Sequence, residues 1–100
     1  MSLESTTASV VTMAENADSL GASIKFAFNG GEGVIFLDGT SDPNKVSNED
    51  KEADCTVKID LQDFIDLVSG DLNPMNAFMG GKLVVEGDMG VAMKLSSLFG

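Results

Sequence analysis

The side chains that most often perform chemistry in proteins are scarce in this sequence. It has no histidine and no arginine, a single cysteine at position 55, and sixteen acidic residues against six lysines. Without histidine there is no Ser-His-Asp or Cys-His pair and no histidine metal site. Without arginine there is no bidentate clamp for phosphate or carboxylate groups. The sequence therefore predicts a protein that is not an enzyme and needs no catalytic residue, metal or cofactor.

Carboxylates are the chemical groups that remain, and their spacing has simple explanations. A helix cap followed by a solvated helix face accounts for Asp60, Asp63 and Asp66, which recur at every third position. Three more carboxylates occupy alternate positions of residues 50–54 and would share one face of an extended segment. A weak calcium site there is the alternative, although the Asp-x-Asx-x-Asx-Gly loop pattern is missing.

Two further features could suggest reactivity. Cys55 has no basic neighbour in the sequence to stabilise a thiolate, so we expect a buried, inert thiol. A glycine pair, Gly87 and Gly90, lies where a strand is expected to turn into a helix, as in phosphate-binding loops. Asp88 lies between the two glycines and places a negative charge where a bound anion would sit, which argues against phosphate.

The remaining signal is apolar and is concentrated near the end of the chain. The last quarter of the sequence contains four of the six methionines and two phenylalanines: Met75, Met79, Met89, Met93, Phe78 and Phe99. Methionine suits irregular gaps in a core, and it also suits surfaces that accept varied apolar ligands. Both interpretations are open from composition alone.

The elements that position these residues follow from hydrophobic periodicity and turn chemistry. For the first seventy residues the patterns predict a weak helix at 2–17, strands at 23–29, 34–38, 45–48 and 55–59, and a helix between Asp60 and Gly70. A Gly-Gly-Glu-Gly hairpin joins the first two strands. Three sequential strands followed by strand, helix, strand and helix favour an α+β fold, with one sheet and helices mainly on one face.

The last third is predicted to form helix, strand and helix with glycines at the corners. Asn73 is a good N-cap and Pro74 suits the first helical position. Gly80 and Gly81 are expected to end this helix by permitting positive φ, before a strand at 82–86. In the closing helix, residues 89–99, apolar side chains cover an arc of about 220°, whereas packing on a sheet needs about 100°. The surplus apolar surface predicts a second partner.

Several segments resemble the SCP2 sterol-carrier domain family, in its stand-alone bacterial form. They are Ala53-Asp54-Cys55-Thr56, Asn73-Pro74, Ala77-Phe78, Gly81-Lys82-Leu83, Glu86-Gly87-Asp88-Met89-Gly90 and Ala92-Met93-Lys94-Leu95. The resemblance spans about residues 20–99. It implies one domain over residues 1–100 with a single five-stranded, mostly antiparallel sheet and helices packed mainly on one face.

The resemblance also implies a lipid carrier with an apolar tunnel between the sheet and the C-terminal helices. By motif position the tunnel would be lined by Phe26, Phe28, Phe36, Phe64, Met75, Phe78, Met79, Met89 and Met93. The expected ligand is a fatty acid, a sterol or a similar apolar molecule. The alternative is an accessory protein that docks its apolar C-terminal end onto an acyl- or sterol-handling enzyme.

Charge and composition narrow the partners and the location. A net charge of −10 repels nucleic acid and anionic lipid surfaces, so we expect neither nucleic-acid binding nor stable membrane association. No stretch approaches the ~20 apolar residues of a membrane span. The beginning of the sequence lacks the pattern of a signal peptide, and a single cysteine suits a reducing compartment. These features predict a cytoplasmic protein.

Overall fold

The part of the chain that the structure describes forms one five-stranded sheet and four α-helices. The structure, a computed structural model, describes residues 3–16, 21–40 and 44–94, apart from the side chain of Ala92. The elements in chain order are α1 (Leu3–Asn16), β1 (Ser23–Phe28), a short 3₁₀ turn (Asn29–Gly31), β2 (Gly33–Asp38), β3 (Lys45–Ser47), β4 (Cys55–Ile59), α2 (Leu61–Ser69), α3 (Pro74–Met79), β5 (Leu83–Gly87) and α4 (Met89–Met93).

The strand order in the sheet is β3-β2-β1-β4-β5. Strands β1 and β2, β2 and β3, and β4 and β5 pair antiparallel, whereas β1 and β4 pair parallel. The predicted α+β class, with a five-stranded and mostly antiparallel sheet, is confirmed. The single parallel pair arises because the long connection from β3 carries the chain past β1 before β4 begins.

One face of the sheet is covered by the helices, and we call it the helix face. Strict alternation in β1 turns Ile24, Phe26 and Phe28 toward this face, where all three are buried. The other strands add buried residues at matching register positions, and the helices close the core from above with Val10, Ala14, Phe64, Leu67, Ala77 and Val91. The alternation predicted for β1 is therefore confirmed, and it identifies the side chains that this strand contributes to the core.

The opposite face of the sheet, which we call the outer face, is covered in part by the connection between β3 and β4. Phe36 pairs in register with Lys25, which lies on the outer face because Ile24 and Phe26 face the helices. The ammonium group of Lys51 lies 5.7 Å from the centre of the Phe36 ring, and the Lys25 Nζ is 2.9 Å from the Asp50 Oδ1. These contacts explain why Phe36 is buried on that side.

Several boundaries differ from the sequence expectation. The first strand ends at Phe28 and the second begins at Gly33, while the last strand runs one residue later than predicted and includes Gly87. The closing helix is described from Met89 to Met93, so the predicted arc over residues 95–99 lies outside the described residues. The ends of the predicted first helix, positions 2 and 17, also lie outside them.

The carboxylate of Asp60 has a different partner from the predicted one. Asp60 occupies the N-cap position of α2, but its side chain makes no capping hydrogen bond to the helix. Instead the Asn29 Nδ2 donates to the Asp60 Oδ1 at 2.8 Å, which links the β1–β2 turn to the start of α2.

Among the described residues, none of the helices has both the length and the apolar character that a membrane-spanning helix needs.

Candidate functional site

The large apolar side chains divide into a buried set and an exposed set. In the described part of the chain, every exposed large hydrophobic side chain lies between positions 75 and 93: Met75, Phe78, Met79, Val84, Met89 and Met93. Met79 is 78% exposed and Met93 is 69% exposed. We call the five of these side chains that lie on α3 and α4 the C-terminal apolar surface; Val84 belongs to the outer face of β5.

Local hydrogen bonds hold α3 so that one side chain is buried and three are exposed. The Asn73 Oδ1 accepts from the backbone N–H of Met75 at 2.9 Å, so the predicted N-cap is present, and Pro74 occupies the first helical position. Ala77 packs in the core. Because α3 is a single short helix with Ala77 inward, Met75, Phe78 and Met79 extend away from the core.

The end of α3 corrects one detail of the sequence expectation. Gly80 has φ −81°, an ordinary right-handed value, and only Gly81 adopts a positive φ, at 76°. The backbone N–H of Lys82 then donates to the Ala77 carbonyl at 2.9 Å. One left-handed glycine is therefore enough to turn the chain from α3 into β5.

A close backbone contact sets the corner between β5 and α4. Gly87 has φ 100°, and a Cβ built on it would lie 2.6 Å from the Asp54 carbonyl oxygen. The same carbonyl accepts from the Asp88 N–H at 3.0 Å. The Asp88 Oδ1 in turn accepts from the Gly90 N–H at 2.8 Å, as expected for a helix cap. Only glycine allows the two backbones to approach so closely at this corner.

Asp54 also links the corner between β5 and α4 to the central strand, β1. Its Oδ2 accepts from the Ser23 N–H at 3.0 Å, and its own N–H donates to the Ser23 Oγ at 3.0 Å. The starts of β1 and β4 and the beginning of α4 are thereby joined in one network. The position of α4 is therefore determined by the sheet rather than by the helix alone.

Within α4 the side chains face two directions. Val91 is buried in the core, whereas Met89 and Met93, one helical turn apart, share an exposed face. Helix α3 contacts β5, and α4 contacts β1, β4 and β5, so the two helices lie at opposite ends of β5. Val85, on the strand that joins the two helices, points to the helix face and is partly buried against the core. The helix face of β5 is therefore apolar between its two ends.

The structure separates the nine predicted ligand-binding residues into three groups. Met75, Phe78, Met79, Met89 and Met93 lie on the C-terminal apolar surface. Phe26, Phe28 and Phe64 form a buried aromatic cluster under α2, with ring centroids of Phe64 4.8 Å and 5.2 Å from those of Phe26 and Phe28. Phe36 lies on the outer face, so it cannot line one cavity together with Phe26 and Phe28.

The chemistry available at this end of the molecule is apolar. The Cys55 side chain is fully buried, and burial raises the pKa of its thiol, with a smaller contribution from the Asp88 carboxylate. A raised pKa reduces the thiolate fraction at neutral pH and makes the thiol a poor nucleophile. Residues 3–16, 21–40 and 44–94 contain no group of three or more His, Cys, Asp or Glu side chains arranged to hold a metal ion.

Sequence reasoning missed two residues of this region. Val85 is partly buried on the helix face of β5, and Val84 is 53% exposed on the opposite face of the same strand. The strand was expected, but its position at the edge of the sheet was not, because edge and centre strands are not distinguished by local periodicity. A short apolar strand next to a lysine and a glutamate was the available signal.

Fold and site together define a class: a small α+β domain with one helix-covered sheet and a patch of exposed apolar side chains on its last helices. Residues 3–100 match the model of the SCP-2 sterol transfer family. The chain belongs to this family of lipid-binding domains, as the sequence motifs indicated.

Curated relatives show the same relationship over parts of larger proteins. Human sterol carrier protein 2 is 51% identical over 51 residues, which is 51% of this chain and 9% of that protein. Hydroxysteroid dehydrogenase-like protein 2 of Xenopus laevis is 39% identical over 79 residues, which is 76% of this chain and 19% of that protein. The chain therefore spans between about a tenth and a fifth of the length of these relatives.

Solved structures share the architecture. The sterol carrier protein domain 2 of Helicoverpa armigera superimposes with a TM-score of 0.76 and 30% identity, covering 96% of this chain and 83% of that one. Sterol carrier protein 2 of Aedes aegypti, solved in complex with the C16 fatty acid palmitate, superimposes with a TM-score of 0.76 and 21% identity, covering 99% and 96%. At 21% identity, the similarity to the Aedes aegypti protein shows a shared fold and no more.

Proposed function

We propose that this chain is a non-enzymatic lipid carrier that binds a single-chain or sterol-like apolar molecule against the C-terminal apolar surface. The observation that carries the proposal is the concentration of exposed apolar side chains on α3 and α4; apart from Val84, the other large apolar side chains of the described residues are at least partly buried. Exposed apolar side chains concentrated in this way usually mark a binding site.

The composition of the surface favours an apolar ligand of variable shape. Four methionines and one phenylalanine make up the surface, and the methionines are the more exposed side chains: Met75, Met79, Met89, Met93 and Phe78. Methionine side chains are flexible and polarisable, so they can adapt to different ligands. Burying one such side chain fully stabilises a complex by about 1.5–3 kcal/mol, which makes several of them a sufficient source of affinity for a lipid.

The proposed ligand lies between α3 and α4 with Val85 beneath it. The aromatic cluster of Phe26, Phe28 and Phe64 is closed in the structure, and we propose it as the inner wall that a long chain would reach if the helices separate. Phe36 is not part of the proposed site, since it lies on the outer face. A fatty acid bound to the Aedes aegypti relative is compatible with this choice of ligand.

The charge of the chain limits the kinds of lipid headgroup that we expect it to bind. With net charge −10 and no arginine, the chain disfavours a polyphosphate group, so acyl-CoA should bind more weakly than the matching uncharged or singly charged lipid. The same charge disfavours stable attachment to anionic membranes. We place the carrier in the cytoplasm, since its single cysteine suits a reducing compartment.

The test has two parts. Organic extraction of the purified protein followed by mass spectrometry should identify a bound apolar molecule. Titration with a fluorescent fatty acid should then show at least tenfold weaker binding for Met93→Glu, whereas the neighbouring exposed Lys94→Glu should bind within about twofold of the unchanged protein. Met93→Glu should fold normally, because Met93 is already 69% exposed. Equal losses for both variants would contradict the assigned face of α4.

A second candidate function rests on the relatives. The chain matches only a segment of hydroxysteroid dehydrogenase-like protein 2, so related domains occur beside other sequence in longer proteins. The C-terminal apolar surface could accordingly dock onto an acyl- or sterol-handling enzyme. If a panel of fatty acids, sterols and detergents causes neither binding nor thermal stabilisation, this second candidate replaces the carrier.

A further inference from the structure

Strand β5 forms one edge of the sheet, and its outward backbone groups have no partner among the described residues. The sheet order ends β4-β5, and β5 pairs only with β4. An edge strand with unpaired N–H and C=O groups is a ready template for another strand.

The other edge of the sheet is protected. Strand β3 has only three residues, Lys45–Ser47, and it contacts α1. The next residue, Asn48, donates from its Nδ2 to the Val34 carbonyl at 2.9 Å and to the Thr7 Oγ1 at 3.1 Å. These bonds tie the end of β3 to α1 and to β2. The two edges therefore differ: β3 is short and covered by its neighbours, whereas β5 is longer and open.

The segment of residues 82–86, which consists of Lys82 and the first four residues of β5, is complementary to itself. In an antiparallel pair of two β5 strands centred on Val84, Lys82 faces Glu86 of the second copy and Leu83 faces Val85 of the second copy. Opposite charges directly across two strands favour pairing, and like charges would oppose it. The Val84-centred register is the one that puts both charge pairs into attraction.

The exposed side chains of β5 support this register. Val84 and Glu86 lie on the outer face, and Leu83 and Val85 lie on the helix face. Lys82 directly precedes the strand, and continued alternation would place it on the outer face as well. Val84 is 53% exposed in a single copy and would meet the Val84 of the second copy on the symmetry axis. The Glu86 Oε1 is 3.3 Å from the Lys58 Nζ, which leaves the second carboxylate oxygen for a lysine of the other copy.

We propose that two copies of this chain associate through their β5 edges in the Val84-centred antiparallel register. The twofold axis is perpendicular to the sheet, so the two five-stranded sheets become one continuous ten-stranded sheet with all helices on the same side. Because β3 has only three residues and packs against α1, β5 is the one edge of the sheet that is open among residues 3–16, 21–40 and 44–94. Association therefore stops at two copies and does not continue into a fibre.

This inference does not depend on the proposed lipid site. The pairing uses the β5 backbone together with Lys82, Val84 and Glu86, none of which belongs to the C-terminal apolar surface. The apolar surfaces of the two copies would lie on the same side of the joined sheet, each next to the seam. Ligand binding and association can therefore be measured separately, and either can fail without the other.

The test exploits the charge pairs. The unchanged protein, 10.4 kDa as a single copy, should show twice that mass by light scattering and native mass spectrometry in the high micromolar range. Lys82→Glu alone should be a single copy, because glutamates then face each other at both charge pairs. Glu86→Lys alone should also be a single copy, because lysines face each other there.

Mixing gives the decisive measurement. When Lys82→Glu and Glu86→Lys proteins are combined in equal amounts, every charge pair between unlike copies is again attractive. Native mass spectrometry should therefore show a species with one copy of each variant, at least tenfold more abundant than either homodimer. Lys45→Glu, the same charge change on the opposite edge strand, should associate like the unchanged protein. Circular dichroism should show that all variants keep the native fold.

Three results would overturn the inference. One is a protein that stays a single copy at all concentrations up to about 1 mM. Another is a dimer that persists equally in Lys82→Glu and Glu86→Lys, with no preference for the mixed species. The third is a dimer that is lost in Met79→Glu but not in either charge variant, which would assign the contact to the C-terminal apolar surface instead of β5.

Discussion

Apolar side chains are mostly buried at one end of the sheet, and many of them are exposed at the other end. Under α1 and α2, the strands β1, β2 and β4 bury nearly every large hydrophobic residue on the helix face, with Phe26, Ile35 and Phe64 at 1% exposure or less. On α3, β5 and α4, the buried residues are fewer and smaller, and five residues of the C-terminal apolar surface remain 42–78% exposed. The first region stabilises the fold, and the second leaves its apolar side chains exposed.

The difference has an energetic reason. A dry cavity of about 300 Å³, the low end for a ligand pocket, would cost roughly 7 kcal/mol at about 24 cal/mol per Å³. A small domain has only about 5–15 kcal/mol of net stability. A chain of this size cannot easily keep such a cavity empty inside its core. Exposed, adaptable methionines at one end of the molecule would provide the proposed binding surface without an empty cavity.

The largest change in the free energy of unfolding should come from a substitution in the buried region. Phe64→Ala removes a fully buried ring that packs on Phe26 and Phe28, and it should lower the free energy of unfolding by about 3–5 kcal/mol. Met79→Ala, the control on the exposed side, should change it by less than about 0.5 kcal/mol. Urea denaturation measures both. Similar values for the two variants would remove the distinction between the regions.

A bound ligand should stabilise α3 and α4 and so reduce the difference between the two regions. Ligand that binds only the folded state at a hundredfold excess over Kd stabilises it by about 2.7 kcal/mol. In a domain of this size that corresponds to a rise in Tm of more than about 10 °C. Amide exchange should slow more in α3 and α4 than in β1 and β2. Uniform slowing across the whole chain would indicate general stabilisation without a located site.

The corner that orients α4 should be the next most sensitive position. Gly87→Ala places a Cβ 2.6 Å from the Asp54 carbonyl oxygen at a positive φ, and it should lower the free energy of unfolding by about 1–3 kcal/mol. Gly30→Ala is the matched control, since its φ is 79° but nothing lies within 4 Å of the added Cβ. An equal loss in both variants would show that the backbone angle, and not the contact with Asp54, restricts position 87.

The smallest effect should distinguish the two helix caps. Asn73→Ala removes an acceptor that binds the Met75 and Asn76 N–H groups, and it should destabilise α3 by about 1 kcal/mol. Amide exchange at the start of α3 should become faster. In Asp60→Ala the start of α2 should exchange at an unchanged rate, because that carboxylate makes no capping bond. Faster exchange at α2 in this control would show that Asp60 caps its helix in solution.

Part of the candidate site could be anticipated from local sequence. The cluster of methionines and the apolar surplus of the closing helix indicated a surface in need of a partner, and Met89 and Met93 are indeed exposed while Val91 is buried. The division of the nine predicted residues could not be anticipated, because it depends on strand register. Phe36 is separated from Phe26 and Phe28 only by the pairing of β2 with β1.

The sequence by itself determined the local elements of this protein. Caps such as Asn73, glycine corners such as Gly81 and Gly87, and the alternation of β1 depend on a few neighbouring residues, so they are visible in the sequence. Only the tertiary structure decided which strand lies at the edge and what each face meets. Strand β5 is an open edge because β4 pairs with β1 on its other side. That pairing joins residues more than thirty positions apart, and no local pattern encodes it.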